Sequence, residues 1–532
     1  MKRFAELLDR LVLMPSRNGK LKLLTDYFRS VEDPDRGFAL AAITGDLSFA
    51  SVKPSMLRAL VAERMDPVLF GYSYDYVGDL AETASLVWPQ AAVADPHDLT
   101  LAEVVEALQR VSRSDAPKVL AMLLDQSDVS SRFAIIKIVT SGLRIGVSAR
   151  LAKQALADLG GVDVVEIEEV WHGLEPPYTS LFAWLEGRAP RPERKAAALF
   201  RPVMLAQPVN DPDLERLNPS DYLAEWKWDG IRVQAVAEGG LRRLYSRTGD
   251  EISAAFPDLI EAMDFEGAID GELLVGDPQG KTGSFSDLQQ RLNRKSVTAR
   301  IQSSFPVFIR AYDLLQREAE DLRTQTYLER RSTLNDLVAG LDPNRFDISR
   351  NFAFADWHAL EEIRRSPPHP IIEGVMLKRK DAPYLPGRPK GPWFKWKRDP
   401  HTIDAVLMYA QRGHGKRSSY YSDYTFGVWT GEEGAEQLVP VGKAYFGFTD
   451  EELRQIDKYV RDNTIERFGP VRSVRADRNH GLVLEVAFEG LNRSPRHKSG
   501  VAMRFPRISR LRWDKPAAEA DRLSTLTAML DK

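Results

Sequence analysis

The sequence predicts a protein of three domains: an all-α N-terminal domain, an α+β middle domain and a C-terminal domain built around a small β-barrel. A chain of 532 residues is too long for a single hydrophobic core, so several domains are expected. Apolar residues recur with a helical period in the first third of the chain, whereas short alternating stretches follow beyond Met204. The predicted domains cover residues 1–198, 199–398 and 399–532.

The N-terminal domain is predicted from apolar residues at positions i, i+3, i+4 and i+7, which give a helix one buried face. The pattern occurs in the segments KLKLLTDYFRSV, SMLRALVAERM, TLAEVVEALQRV and PKVLAMLLDQ. Glu6, Asp9 and Arg10 interrupt the apolar residues at the start of the chain, so an amphipathic helix is expected there rather than a secretion signal. A basic run with several prolines, LEGRAPRPERKAAALFRP, predicts a linker at the end of this domain.

The middle domain is predicted from short stretches that are typical of strands. These stretches are YLAEWKW, IRVQAVAE, LRRLYSR, GAIDGELLV, FPVFIRAYDLL, EGVMLKRK and WFKWKR. Gly- and Asp-rich turns join them, and LERRSTLNDLVAG has the period of a helix. Strands with helices between them predict an α+β domain.

The C-terminal domain is predicted from a different order of elements. TIDAVLMYAQ, YTFGVWT and LVPVGKAYF have the pattern of strands, TDEELRQIDKYVRD that of a helix, and LVLEVAFEG that of a further strand. Within about 130 residues, this order is compatible with a five-stranded barrel of the OB type.

The composition excludes several classes of chemistry. The chain has no cysteine, which excludes disulfides, thiol nucleophiles and cysteine-based zinc sites. The net charge of −3 means that any surface for a polyanion must come from local clusters of Lys and Arg. No stretch approaches the roughly 20 apolar residues of a membrane span, so a soluble, cytoplasmic protein without a membrane partner is expected.

The segment AEWKWDGIRV suggests a reactive lysine. If residues 222–228 form a strand, Glu225 and Lys227 project from the same face, and Asp229 and Gly230 form the turn that follows. A single K-x-D-G string is weak, because ordinary composition gives roughly a 10% chance of one in a chain of this length. Taken alone, an exposed hairpin with a surface lysine remains an equal alternative.

Six further motifs follow in order along the chain. They are SRTGD (246–250), AIDGELL (268–274), FIRAYDLL (308–315), EGVMLKRK (373–380), WFKWKR (393–398) and MRFPRISRLRWDKP (503–516). In order and spacing the series resembles the nucleotidyltransferase motifs of ATP-dependent DNA ligases, over more than half of the chain. RFAIIKIVTSGLRIGVSARLAKQAL (132–156) is similar to the end of the DNA-binding domain that precedes the catalytic core in larger members. The resemblance implies a helical DNA-binding domain, an adenylation domain and an OB-fold domain.

The resemblance implies that Lys227 is the lysine that becomes adenylated. Its amine must be uncharged to attack the α-phosphate of ATP, whereas a free lysine is almost wholly protonated at pH 7. Lys395 and Lys397 share one face of a predicted strand and resemble the paired lysines that hold the α-phosphate. A solvated edge strand is the alternative for this pair.

Further residues are assigned to the nucleotide, the nick and the metal by the same resemblance. Arg232 and Arg247 correspond to arginines that contact the ribose and the 5′-phosphate of the nick, for which a forked guanidinium is suited. Glu272 corresponds to a ribose-contacting carboxylate, and Glu373 with Glu272 to the carboxylates that place Mg²⁺. For Asp270, a structural role in capping a turn is as compatible as a catalytic one.

The base and the leaving group have their own predicted contacts. Tyr312 lies where the family places an aromatic side chain that stacks on adenine, and Glu225 is assigned to the same nucleotide site. The basic C-terminal motif, with Arg504, Arg507 and Lys515, resembles the element that orients the pyrophosphate leaving group.

DNA contacts are predicted at two places. In the N-terminal domain Arg144 and Gly146 are assigned to the DNA, since glycine lets the backbone approach a phosphate. The alternative for the nearby Gly142 is that it simply ends a helix. In the C-terminal domain GHGKRSSYY (413–421) is a candidate phosphate-contacting loop through Lys416 and Arg417.

The predicted activity is ATP-dependent sealing of nicks with 3′-OH and 5′-phosphate ends, through a lysyl-AMP and then a DNA-adenylate, with release of AMP and pyrophosphate. The implied cofactors are ATP and Mg²⁺, which Mn²⁺ can replace, and the implied partner is nicked double-stranded DNA. A monomer is expected, and the sequence contains no Q-x-x-[LI]-x-x-[FY]-[FY] segment for a sliding clamp. The sequence is compatible with a role in DNA replication, DNA repair or DNA recombination.

Other functions are compatible with parts of this pattern. An RNA ligase and an mRNA-capping guanylyltransferase use the same kind of lysine chemistry. NAD-dependent ligases are disfavoured, because that family carries a four-cysteine zinc site. A catalytically silent nick-binding protein is a different class, but it would be expected to have lost Lys227, Lys395 or Lys397.

Overall fold

The structure is a computed structural model that describes residues 1–530, except 67, 71–72, 74–78, 90–97, 141, 194–196, 210, 281, 293, 295–296, 413–420, 433, 446–448 and 496. The chain divides into two compact units. One unit comprises residues 1–152 and 399–532, and the other comprises residues 153–398. Residues 153–198, predicted as part of the N-terminal domain, group with the middle domain in this division.

The N-terminal region is helical, as predicted. Its helices are α1 (Lys2–Leu13), α2 (Arg17–Ser30), α3 (Asp35–Thr44), α4 (Pro54–Ala62), α5 (Leu80–Val87), α6 (Leu101–Arg110), α7 (Ala116–Asp125), α8 (Val129–Val139) and α9 (Ala149–Gly160). In α1 the buried residues Phe4, Leu7, Leu8 and Leu11 follow the i, i+3, i+4, i+7 pattern. Thr100 begins α6 with a capping box, in which its hydroxyl accepts from the Glu103 N–H.

Two more helices, α10 (Val164–Trp171) and α11 (Thr179–Leu185), precede the middle domain. The segment after them is fixed to the first strands of that domain. The Ala198 N–H donates to Glu238 Oε2 (2.8 Å), and the Arg201 N–H donates to Gln234 Oε1 (2.7 Å). The Tyr245 hydroxyl donates to the Ala198 carbonyl (2.7 Å). The residues just before Met204 are therefore bound to the sheet and do not form a free linker.

The middle domain contains two sheets. The strands are β1 (Gln207–Pro208), β2 (Tyr222–Trp228), β3 (Ile231–Glu238), β4 (Leu241–Ser246), β5 (Gly267–Val275), β6 (Val307–Arg317), β7 (Glu320–Asp321), β8 (Phe346–Ile348), β9 (Asn351–Phe352), β10 (Ile372–Arg379) and β11 (Trp393–Lys397). One sheet has the order β1-β11-β10-β2-β9, and the other has the order β4-β3-β5-β6-β7 with β8 beside β6. Every predicted strand stretch of this domain coincides with one of these strands.

Helices cover the sheets of the middle domain. They are α12 (Asp211–Leu214), α13 (Pro257–Ala262), α14 (Phe285–Leu292), α15 (Ala299–Ser304), α16 (Tyr327–Val338) and α17 (Trp357–Arg365). The core of the β3–β8 sheet is aliphatic and aromatic, with Val233, Phe256, Ile269 and Leu334 fully buried. Burial of each such side chain stabilises the fold by about 1.5–3 kcal/mol. This packing fixes the strands, whose other face carries the polar residues.

The C-terminal region is rich in strands. They are β12 (His401–Arg412), β13 (Tyr421–Thr430), β14 (Gln437–Tyr445), β15 (Thr464–Phe468), β16 (Val471–Val474), β17 (Val483–Phe488), β18 (Gly490–Arg493), β19 (Val501–Arg504) and β20 (Arg507–Arg512). Pairings run from β12 through β13, β14, β20 and β17 and return to β12. The helices are α18 (Asp450–Asp462) and α19 (Leu523–Leu530). Within the described residues no helix is both long and apolar enough to cross a membrane.

Candidate active site

Three adjacent strands place the predicted lysines in register. β10 lies between β2 and β11 and is antiparallel to both. Gly374 of β10 is opposite Lys227 on one side and Lys397 on the other, and Met376 is opposite Glu225 and Lys395. Because side chains alternate along a strand, the residues of these two rows share one face. The sheet therefore brings together side chains that lie far apart in the sequence.

The centre of the first row has room for no side chain. Gly374 has φ +149°, and a Cβ atom there would lie 2.2 Å from the Trp396 carbonyl oxygen. The register of β10 against β2 also shifts between Ile372 and Gly374. Such a bulge changes the direction of a side chain, and the carboxylate of Glu373 reaches Lys227.

Glu373 interacts with two lysines at once. Lys227 Nζ donates a hydrogen bond to Glu373 Oε2, and Lys397 Nζ lies 3.7 Å from the same oxygen. Burial lowers the pKa of Lys395, and the positive charges of Lys397 and Arg388 lower it further. One carboxylate thus lies among several cations, an arrangement that leaves a net positive charge for an anionic ligand.

Glu272 of β5 faces this group from the other sheet. Its Oε1 accepts a hydrogen bond from the Gly230 N–H (3.2 Å). Burial raises the pKa of Glu272 to about 7, although the charges of Lys227 and Arg232 oppose the shift. The carboxyl group can therefore gain or lose a proton near neutral pH.

Asp270, two residues before Glu272 on the same strand, is fully buried and fully paired. It accepts hydrogen bonds from Arg232 Nε (3.0 Å), Arg232 Nη2 (2.6 Å) and the Tyr384 hydroxyl (2.7 Å). Burial alone would lower the pKa of Arg232, but the Asp270 carboxylate holds it well above its usual range. Asp270 has a structural role, yet it lies within β5, so the idea that it caps a turn was wrong.

Lys378 is a buried residue of this site that the sequence interpretation missed. Its ammonium donates to Glu225 Oε1 (2.6 Å) and to the Tyr312 carbonyl (3.0 Å). It also lies 4.4 Å from the ring centroids of Tyr312 and Trp393. Burial lowers the pKa of Lys378, and the Glu225 charge opposes this. No local spacing links it to Glu225, because the two residues meet only across the paired strands β10 and β2.

These side chains line one cavity of about 440 Å³, which is the size of a small-molecule site. The predicted residues that line it are Glu225, Lys227, Arg232, Arg247, Glu272, Tyr312, Glu373, Lys395 and Lys397. Met376, Lys378, Arg388 and Trp393 line it as well and were not predicted. Among the described residues no three His, Asp or Glu side chains form a group that could hold a metal ion.

Two predicted residues of the C-terminal motif, Arg507 and Lys515, lie near carboxylates of the same domain. Arg507 Nη1 lies 3.9 Å from Glu489 Oε1, and Lys515 Nζ donates to Asp404 Oδ2 (2.7 Å). Burial lowers the pKa of Arg504. Lys416 and Arg417 lie outside the described residues.

The predicted DNA-contacting loop of the N-terminal domain connects α8 to α9. Arg144 (φ 45°) and Gly146 (φ 65°) both have left-handed backbone conformations. Lys20 Nζ donates to the carbonyls of Ile145 (3.0 Å) and Gly146 (2.9 Å) and so holds the loop against α2. The Gly142 N–H donates to the Lys137 carbonyl (3.2 Å) just after the end of α8.

Comparison with known proteins decides the family. Three protein-family models match the chain. The model for the DNA ligase N terminus matches residues 1–157, the model for the ATP dependent DNA ligase domain matches residues 203–397, and the model for the ATP dependent DNA ligase C terminal region matches residues 417–515. A probable DNA ligase of Anaeromyxobacter sp. (strain Fw109-5) is 30% identical over 82% of this chain and 85% of its own length. The chain belongs to the ATP-dependent DNA ligase family. Membership decides against the capping-enzyme, RNA-ligase and silent-protein alternatives, so this is a ligase enzyme.

Other relatives extend over nearly the whole ligase. A probable DNA ligase of Koribacter versatilis (strain Ellin345) is 29% identical over 98% of this chain and 95% of its own length. DNA ligase 1 of Korarchaeum cryptofilum is 28% identical over 100% of this chain and 98% of its own. The solved structure named Pmar-Lig_PreS3 matches with a TM-score of 0.60 and 14% identity over 96% of this chain and 99% of that one, which shows the same fold.

Proposed function

We propose that this ligase uses ATP to seal nicks with 3′-OH and 5′-phosphate ends in duplex DNA. The observation that carries the proposal is the position of Lys227, in a cavity that also presents Lys395 and Lys397. A nucleophilic amine beside cations that can stabilise a phosphate in its transition state is the arrangement that adenylyl transfer requires.

In the first step, the uncharged amine of Lys227 attacks the α-phosphorus of ATP, a substrate of the reaction. An N–P bond forms, the bond from the α-phosphorus to the bridging oxygen breaks, and pyrophosphate leaves with that oxygen. The nitrogen releases one proton to solvent, which leaves a neutral phosphoramide nitrogen. The lysyl-AMP product keeps the adenylate in the cavity. Lys395 and Lys397 share a strand face with Lys227 and can neutralise the charge that develops on the α-phosphate.

In the second step, a 5′-phosphate oxygen attacks the phosphorus of the lysyl-AMP, and the Lys227 nitrogen leaves. The 3′-OH then loses its proton to solvent, and its oxygen attacks the phosphorus of the DNA 5′-phosphate in the DNA-adenylate. The phosphodiester bond forms as the bond from that phosphorus to AMP breaks and AMP leaves. Arg247 is exposed at the edge of the cavity, where its guanidinium can bind the 5′-phosphate through two hydrogen bonds.

The base end of the cavity fits an adenine. Tyr312 and Trp393 line it, and their rings pack edge to face at 6.3 Å. The carboxylate of Glu225 lies at the same end, where its Oε1 pairs with Lys378 (2.6 Å) and its buried Oε2 lies 3.8 Å from Arg331 Nη1.

Two carboxylates in the cavity fit a magnesium ion. Glu373 and Glu272 both line it, and Mg²⁺ bound with a nucleotide takes one or two carboxylates besides phosphate oxygens and water. Bound there, Mg²⁺ would neutralise phosphate charge, and Mn²⁺ would replace it.

The outer domains have supporting roles in the proposal. The pairings that return to β12 support an OB-type barrel, and Arg504, Arg507 and Lys515 orient the pyrophosphate by their resemblance to the family's terminal motif. Arg144 and Gly146 contact the DNA from the N-terminal domain, where both residues have left-handed backbone conformations. The ligase acts as a monomer.

The proposal is tested with ATP labelled at the α-phosphate. Full-length protein with Mg²⁺ should retain the label as an acid-labile phosphoramide, which peptide mapping should locate on Lys227. Lys227→Ala should lose the label entirely, whereas Lys390→Ala, an exposed lysine of the same domain, should keep it. Label on another lysine, or nick sealing by Lys227→Ala, would contradict the proposal.

A further inference from the structure

A contact outside the cavity bears on Arg247. Helix α10 ends at Trp171, and the next residue, His172, packs against Gly249. A Cβ atom on Gly249 would lie 2.4 Å from His172 Cε1, so the imidazole is in close contact with the backbone there. Residues 158–202, which include His172, lie between the ranges that the family models match, so the family resemblance gives His172 no role.

The turn that carries Arg247 is compact and held by its own hydrogen bonds. The Ser246 hydroxyl donates to Asp250 Oδ2 (3.0 Å) and accepts from the Thr248 N–H (3.3 Å). The Gly249 N–H donates to the Ser246 carbonyl (3.0 Å). The Ser246 N–H also donates to the Asp250 carbonyl (2.8 Å), and Tyr245 forms a bridge with Glu251, so both sides of the turn are joined to β4. The side chains of His172 and Phe200 approach its tip at Gly249.

An aromatic cluster of His172, Phe200 and Tyr245 packs against both the base and the tip of this turn. The rings of His172 and Phe200 lie edge to face with centroids 4.8 Å apart, and those of Phe200 and Tyr245 are 5.7 Å apart. Tyr245 directly precedes the turn, and His172 contacts its tip at Gly249. Ring contacts therefore run without a break from Tyr245, at the base of the turn, to His172, which contacts the tip at Gly249.

Helix α10 is itself fixed, so His172 has a firm support. Glu169 accepts hydrogen bonds from Arg323, and both side chains are more than four-fifths buried. Arg191 Nη2 donates to the Glu166 carbonyl (3.1 Å). The Glu169–Arg323 pair holds the helix on the unit that contains the cavity.

We infer that His172 is a positioning residue that holds the Arg247 turn in the orientation that presents the guanidinium to the cavity. The inference rests on the proposed contact of Arg247 with the 5′-phosphate. His172 itself does not touch the substrate. Displacement of a phosphate-binding group by about 1 Å can cost up to 100-fold in rate, so loss of the imidazole should slow the step that uses Arg247.

The test compares two steps in the full-length protein. His172→Ala should slow AMP transfer from pre-adenylated ligase to a nicked duplex about tenfold, while self-adenylation with ATP stays within about twofold. His172→Gln, which lacks the ring but keeps a polar side chain, should show the same pattern. His358→Ala, a change at an exposed histidine of the same unit, should leave both steps unchanged.

A double substitution separates positioning from general support of the fold. If His172 acts through Arg247, His172→Ala should cause no further loss of AMP transfer, within about twofold, in an Arg247→Ala background. Additive losses, or equal losses of both steps together with a lower Tm, would overturn the inference. Normal AMP transfer in Arg247→Ala would overturn the proposed role of Arg247 as well, whereas a loss in Arg247→Ala without one in His172→Ala would overturn the inference alone.

Discussion

The charged side chains at the two ends of the nucleotide cavity differ in how deeply they are buried and in how they are paired. At the Lys378 end, Lys378 and Glu225 pair with each other, and their side chains are 1% and 3% exposed. Asp270, whose side chain is 0% exposed, pairs with Arg232. At the Lys227 end, Lys227 and Lys397 are 23% and 35% exposed and share the carboxylate of Glu373. Charges that are buried and paired fix the shape of a site, because separating them is costly. Charges that are partly exposed and share one partner remain available to a phosphate.

The comparison predicts its largest effect for a carboxylate of the Lys378 end. Asp270→Ala would leave the guanidinium of Arg232 without its carboxylate partner, so the free energy of unfolding should fall by about 3–5 kcal/mol. Glu373→Ala, at the Lys227 end, should lower it by about 1 kcal/mol or less, since its lysine partners are partly solvated. Urea denaturation of the two variants measures both values, and equal losses would remove the distinction between the ends.

The second prediction concerns Glu272, whose pKa burial raises from 4.5 to about 7. The folded protein then binds this proton more tightly than the unfolded chain, so the stabilisation is complete below pH 4.5 and is lost as the pH rises through 7. The free energy of unfolding of wild type relative to Glu272→Gln should fall by up to about 3 kcal/mol over this range. Urea denaturation without nucleotide at pH 5 and pH 8 tests this, and a pH-independent difference would show that Glu272 is not buried as described.

The smallest predicted effect is on nucleotide binding. Tyr312→Ala should weaken ATP binding by about 1–3 kcal/mol, because a stacking partner of the base is lost. The KM for ATP in self-adenylation should rise accordingly, and Tm should change little relative to Asp270→Ala. A KM within twofold of the wild-type value would assign Tyr312 to the core rather than to the base.

The site was predictable from the sequence wherever a motif carries its own spacing. Alternation along β2 and β11 placed Glu225 with Lys227 and Lys395 with Lys397, and the structure lines one cavity with all four. Tyr384 was not predictable, because its partner Asp270 lies 114 residues away and no local pattern links them. His172 was not predictable for the same reason. It lies far in the sequence from the turn at residues 246–250 and packs against Gly249 only in the folded chain. Tertiary pairing of this kind leaves no periodic trace in a single sequence.

The hydrogen bonds of residues 198–201 to β3 and β4 affect where the protein can be cut into folded fragments. A fragment cut at the start of the matched range, residue 203, would lose the backbone groups of Ala198 and Arg201 that serve Glu238, Gln234 and Tyr245. It would also expose the face of β4 beside the Arg247 turn. A minimal self-adenylating piece should therefore begin before α10, and fragments that begin at residue 153 and at residue 203 should differ in solubility and yield even though both contain every residue that lines the cavity.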